Sequence, residues 1–138
     1  DAIVHTPHTT LSGLLDKATE AKLGGDDQDY KDSVYNCPER LYKLLEEDTT
    51  GEGVQKVPVC LLYSTDTVGG NSGSPVMNQR GELVAINFDR QRQGLMNEYK
   101  WSSDYSRSIG VDVRYILWLI GDYDGATHLV DELIAADA

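Results

Sequence analysis

Histidine is scarce in this chain: among 138 residues there are three, His5, His8 and His128. Cysteine is scarcer still, with Cys37 and Cys60 standing 23 positions apart. That spacing fits no zinc site, and one pair in a chain of this size is no disulfide framework. No metal and no cofactor is therefore expected, although His5 and His8 form a weak metal-type spacing. Cys60 lies within an apolar run and reads as a buried small hydrophobe; whether the two cysteines meet stays open. Positive charge is also short, with 12 Lys and Arg against 23 Asp and Glu and a net charge of −11. A field of that sign repels phosphate backbones and anionic bilayers, which argues against nucleic acid and membrane as partners. No apolar run approaches a bilayer span, and no signal peptide opens the chain. It begins at Asp1-Ala2-Ile3-Val4 without a methionine, so a trimmed or processed chain is expected.

What is present suits one globular domain over residues 1–138, with 40% hydrophobic and 25% charged residues. Leu11, Leu14, Leu15 and Ala18 recur at helical spacing after a Thr9-Thr10 cap, and Gly24-Gly25 stops the run. The acidic, turn-rich segment from Gly24 to Asp32 predicts a surface loop. Pro38 opens a second helix through Leu41, Leu44 and Leu45, ending before Thr49. Val57 to Tyr63 predicts a strand, with Pro58 near its start where proline is tolerated. Val76-Met77, a turn at Asn78 to Gly81, and Leu83 to Phe88 predict a hairpin. Ser108 to Val113 predicts a further strand running into the apolar stretch Tyr115 to Ile120. Ala126, Leu129, Val130, Leu133 and Ile134 mark an amphipathic terminal helix. Gln91 to Ser106 carries no assignable pattern. The expected layout is a helical lead-in over 1–53, a β core over 54–113 and a helical segment over 114–138.

The chemistry concentrates in Val68-Gly69-Gly70-Asn71-Ser72-Gly73-Ser74-Pro75-Val76. A serine nucleophile must stand clear of the backbone while nearby N–H groups converge on the oxyanion formed by its attack. Gly70 and Gly73 permit so tight a turn, which lets the N–H groups of Gly70 and Ser72 act as the oxyanion hole. Strand signals on both sides, with no helix following, disfavour the strand-to-helix elbow of other hydrolases. The competing reading is a plain hairpin turn.

Such a serine needs a base, and the histidines are poor candidates. His128 lies on the terminal helix, where a surface or packing role suffices, and His5 and His8 lie in a Thr- and Pro-containing opening. The nucleophile is expected without the rest of its triad. Asp66, six positions before the serine, stands where trypsin-like enzymes select basic side chains, but a solvated charge is the simpler reading. Arg90 is suited to grip a carboxylate bidentately, and Asp89 to accept an ammonium. A solvated charge or a mutual ion pair at a strand end is the competing reading for those two, and from spacing alone it is the favoured one for Asp89.

These residues resemble the bacterial dipeptidyl-peptidase 7 and 11 family. The resemblance runs through Val57-Pro58-Val59-Cys60-Leu61-Leu62, the Asp66 to Val76 loop, Gly81-Glu82-Leu83-Val84, Asn87-Phe88-Asp89-Arg90, Ile109 to Tyr115 and Gly125 to Leu133. The Thr9-Thr10-Leu11-Ser12-Gly13 opening also fits. Only the serine loop is shared with glutamyl endopeptidases and other chymotrypsin-like enzymes. The resemblance implies an α+β fragment, mainly β with helices: the C-terminal β-barrel half of a chymotrypsin-like double barrel with flanking N-terminal helices and a C-terminal helix. It implies a periplasmic or cell-surface serine exopeptidase of Gram-negative bacteria, with a homodimeric parent, that releases N-terminal dipeptides from peptides with a free N-terminus.

Carried over, Ser72 matches the nucleophile, Gly70 and Ser72 the oxyanion hole, Asp89 the acid that binds the substrate ammonium, and Arg90 the basic residue of the Asp/Glu-specific branch. The histidine and aspartate of the triad belong to an N-terminal barrel with no counterpart here, so the isolated chain is expected to be inactive. Gln91-Arg92-Gln93 departs from the family's aromatic and acid. Two alternatives remain: a glutamyl-endopeptidase-like protease and a non-catalytic barrel module.

Overall fold

The computed structural model describes residues 8–48, 57–91, 99–102, 104 and 106–135. His5, Thr49 to Lys56 and Arg92-Gln93 lie outside them, and so does most of the stretch that carried no assignable pattern. The described residues divide between two compact units, one within Thr9–Val57 and the other made of His8 with those of Pro58–Ala138. The short strand β1 (His8–Thr10) lies where the chain passes from one to the other.

The Thr9–Val57 unit is helical. Helix α1 (Leu11–Leu23) starts at Thr10, whose hydroxyl accepts the Gly13 N–H at 3.3 Å. Leu11 and Ala18 are fully buried, as their spacing predicted. The predicted loop at 24–32 instead contains helix α2 (Asp27–Asp32). Its cause is a capping box: Asp26 accepts from the N–H groups of Gln28 and Asp29, while the Asp29 carboxylate accepts from the Asp26 N–H. Acidic residues in a first turn are favoured by the helix dipole, so a composition that reads as loop can start a helix. Helix α3 (Glu39–Asp48) follows Pro38 and buries Leu45 and Tyr42. The Tyr42 hydroxyl pairs with that of Thr19 at 2.9 Å, and Lys22 of α1 lies 4.4 Å above its ring.

The other unit is built on antiparallel strands β2 (Pro58–Tyr63), β3 (Pro75–Met77), β4 (Leu83–Arg90) and β5 (Ser108–Asp112), in the spatial order β2-β5-β4-β3. Pro58 is the first residue of its strand, and β3 with β4 is the predicted hairpin. Strands β4 and β5 pair Asn87 with Gly110 but Asp89 with Ile109, so one extra residue enters β4 as a bulge around Phe88.

Strand β5 ends at Asp112, which is 1% exposed. Its carboxylate caps helix α4 (Val113–Trp118) through the Arg114 N–H at 2.9 Å and binds the Arg114 guanidinium bidentately at 2.8 and 2.9 Å. The apolar stretch beyond β5 is thus helical, continuing as a π-helical turn at Leu119–Tyr123. Helix α5 (Thr127–Ala135) closes the chain, but Leu129, Leu133 and Ile134 on it are 43–62% exposed, so its apolar face is less buried than its periodicity predicted. Cys37 is buried, Cys60 is half-buried rather than fully so, and both are free thiols. No helix among the described residues is long and apolar enough to cross a membrane.

Candidate active site

The predicted catalytic serine sits in the connection between β2 and β3. Gly70 and Gly73 have φ of +96° and +87°, a region where a Cβ is strained. Between them the turn is tied by its own asparagine: Asn71 Oδ1 accepts the Val68 N–H at 2.8 Å, and the Asn71 carbonyl accepts the Ser74 N–H at 3.0 Å. Strand β4 then grips the far side of the turn. The Gly73 N–H donates to the Asn87 carbonyl at 2.8 Å, and the Asn87 N–H donates to the Ser74 carbonyl at 2.9 Å. Ser72 is left exposed, its hydroxyl donating to the Phe88 carbonyl at 3.3 Å.

An open groove of about 190 Å³ runs past the serine. Ser72 stands on it, with Thr67 to Gly69 on one side and Asn87 to Arg90 on the other. A regular strand turns successive side chains to opposite faces, so four consecutive residues do not ordinarily line one groove. The bulge around Phe88 breaks that alternation and brings Asp89 and Arg90 to the same groove. Asp89 is exposed and accepts the Arg90 N–H at 2.8 Å through its own carboxylate; Arg90 is half-buried. A carboxylate residue, an arginine and an exposed serine therefore share one groove.

The remaining candidates fall elsewhere. Asp66 is exposed and does not line this groove; it borders a second cavity with Tyr63 and Met77. His128 is exposed on α5, and the His8 side chain lies outside the described residues. Among the described residues no group of three or more His, Cys, Asp or Glu is placed to hold a metal ion.

Supporting residues escaped the sequence reading. Ser108 is fully buried, donates to the Thr65 carbonyl at 2.9 Å and meets the Thr67 hydroxyl at 2.6 Å, which fixes one wall of the groove. Asn87 is 4% exposed and joins Tyr63 to the serine loop. A polar residue set between the apolar run Leu83-Val84-Ala85-Ile86 and Phe88 was the available signal for it.

The peptidase S46 profile matches residues 1–135. The chain belongs to the peptidase S46 family. Among similar S46 proteins, an Asp/Glu-specific dipeptidyl-peptidase of Capnocytophaga gingivalis is 36% identical over 136 residues, covering 96% of this chain and 18% of that protein. A dipeptidyl-peptidase 7 of the same organism is 37% identical over 131 residues, covering 91% of this chain and 17% of the relative. The fold is similar to that of Porphyromonas endodontalis DPP11 crystallised with the dipeptide Arg-Asp, with a TM-score of 0.75 and 33% identity over 96% of this chain. This chain spans 18% of that structure, so it corresponds to less than a fifth of these S46 relatives.

Proposed function

We propose that this chain supplies the nucleophile, the oxyanion hole and the substrate-selecting groove of a serine dipeptidyl-peptidase that releases N-terminal dipeptides ending in Asp or Glu. The observation that carries the reading is the meeting of Ser72, Asp89 and Arg90 in one groove. The Asp/Glu-specific S46 relatives and the DPP11 structure with Arg-Asp support the substrate class.

In this reading Asp89 holds the α-ammonium of the peptide, which limits cleavage to the second peptide bond. Arg90 pairs with the acidic side chain of the second residue. The Ser72 oxygen attacks the carbonyl of that residue as its proton passes to a base, and the oxyanion is held by the N–H groups of Gly70 and Ser72. Collapse expels the amine of the remaining peptide, which takes up the proton, and water then hydrolyses the dipeptidyl ester. The base and its carboxylate come from sequence beyond this chain, in the N-terminal half of a chymotrypsin-like double barrel whose C-terminal half lies here. The family resemblance also underlies a proposed periplasmic or cell-surface setting and a homodimeric parent.

The test uses the full-length protein and chromogenic peptides with free or blocked N-termini. Release of dipeptides from free Xaa-Asp and Xaa-Glu substrates, abolished by Ser72→Ala, is the expected result. Cleavage of blocked peptides after Glu would make it a glutamyl endopeptidase instead. The 138-residue chain alone is expected to resist a fluorophosphonate probe; stoichiometric labelling would mean that it contains its own base.

A further inference from the structure

Asn87 uses every polar group it has, although it is 4% exposed. Its main chain holds Gly73 and Ser74, as described above. Its side-chain Nδ2 donates to the Asn71 carbonyl at 3.1 Å, and its Oδ1 accepts from the Tyr63 hydroxyl. The direction of these bonds is fixed by chemistry. A carbonyl only accepts, so the NH2 end of the amide must face Asn71, which leaves the oxygen for the tyrosine to donate to. Burial pushes the Tyr63 hydroxyl above its ordinary pKa, so it remains a donor at neutral pH.

Tyr63 reaches Asn87 across an intervening strand, since β5 lies between β2 and β4. Gly110 on β5 makes the crossing possible: a Cβ there would come within 3.1 Å of the Tyr63 ring and 3.0 Å of the Ala85 side chain.

The bond to Asn71 matters because of what lies on the other edge of the same peptide unit. In a planar trans peptide the C=O and the following N–H point in opposite directions. Fixing the Asn71 carbonyl against Asn87 therefore fixes the direction of the Ser72 N–H. We infer that Asn87, oriented by Tyr63, is a positioning residue for the oxyanion hole: it sets the Asn71–Ser72 peptide so that its N–H meets the oxyanion. The inference rests on the reading of Ser72 as nucleophile, which is tested alongside it.

In the full-length enzyme Asn87→Asp places a carboxylate oxygen where the donor stood, opposite the Asn71 carbonyl. The expected result is a kcat lowered about ten- to a hundredfold, the range for a displaced catalytic group, with KM for an Xaa-Asp substrate nearly unchanged. Affinity for a peptide boronic acid, whose serine adduct puts an oxygen in the oxyanion site, falls by a similar factor. Tyr63→Phe moves both in the same direction by less, and carries the test by itself if Asn87→Asp does not fold.

A folded Asn87→Asp with wild-type kcat and boronate affinity overturns the inference, as does a loss expressed in KM alone. So does wild-type behaviour of Tyr63→Phe where Asn87→Asp does not fold. Ser72→Ala separates the two levels: if it stays active, the nucleophile reading and this inference both fall. If Ser72→Ala is inactive while Asn87→Asp is unchanged, the positioning role alone is refuted.

Discussion

Replacing Arg90 by glycine in the full-length enzyme tests the substrate reading most directly. Arg90 is half-buried at the end of β4 and lines an open groove together with Ser72. Hydrogen bonds to charged groups contribute about 1.5–3 kcal/mol each, and a groove open to solvent keeps the gain toward the lower part of what a bidentate pair can reach. A loss of about 2–3 kcal/mol corresponds to about 30- to 150-fold in kcat/KM. That loss should fall on Xaa-Asp and Xaa-Glu substrates. Xaa-Ala and Xaa-Leu should stay within about twofold, the range of an ordinary surface change. Arg90→Lys should be intermediate, because an ammonium keeps the charge but not the planar fork. The assay is initial rates on four dipeptidyl chromogenic substrates at fixed pH and salt. An equal loss on all four substrates, or no loss on the acidic pair, refutes the assignment.

Three further predictions concern the scaffold. Gly73→Ala adds a Cβ that meets no atom within 4 Å, so its effect isolates the cost of the positive φ; a loss of about 1–2 kcal/mol in urea unfolding is expected, and none would mean the turn relaxes freely. Asp112→Ala removes both the cap of α4 and the bidentate partner of Arg114, whose side chain is 64% exposed; a loss of roughly 1–3 kcal/mol is expected, read as a shift in the urea midpoint, with a shift near zero refuting it. Burial, aided by Glu39 at Cys37 and by Asp112 at Cys60, raises both thiols above the ordinary thiol value. Less thiolate is then present at pH 8, so both should be alkylated more slowly than glutathione. A raised thiol binds its proton more tightly when folded, so its contribution to stability is present below the ordinary thiol pKa and is lost as pH rises through the raised folded value. Alkylation as fast as glutathione would contradict this.

The sequence made some of this legible and concealed the rest for physical reasons. Helices α1 and α3, strand β2 and the hairpin of β3 and β4 declared themselves through local periodicity, capping and turn residues. The tight turn around Ser72 was legible because Gly70 and Gly73 stand where its backbone takes positive φ. Helix α2 was hidden because its capping residues are the same aspartates that mark a loop. The helical segment after Asp112 was expected, but where the strand gives way to it was not, because a short apolar run suits a strand or a helix equally. The roles of Tyr63, Asn87 and Gly110 were hidden because they depend on strand order, which brings residues 24 apart in sequence into contact. The bulge that gathers Asp89 and Arg90 has no sequence signature at all, since it is a mismatch between two strands.

That bulge separates two duties that neighbouring residues would otherwise entangle. Asn87 precedes the irregularity and answers to the serine turn; Arg90 follows it and, in the proposed function, answers to the substrate. In that reading a change of side chain at 90 need not propagate back to 87, so substrate preference can change without disturbing the serine turn. A deletion of one residue between them would do the opposite, restoring the pleat and rotating the selecting side chain out of the groove.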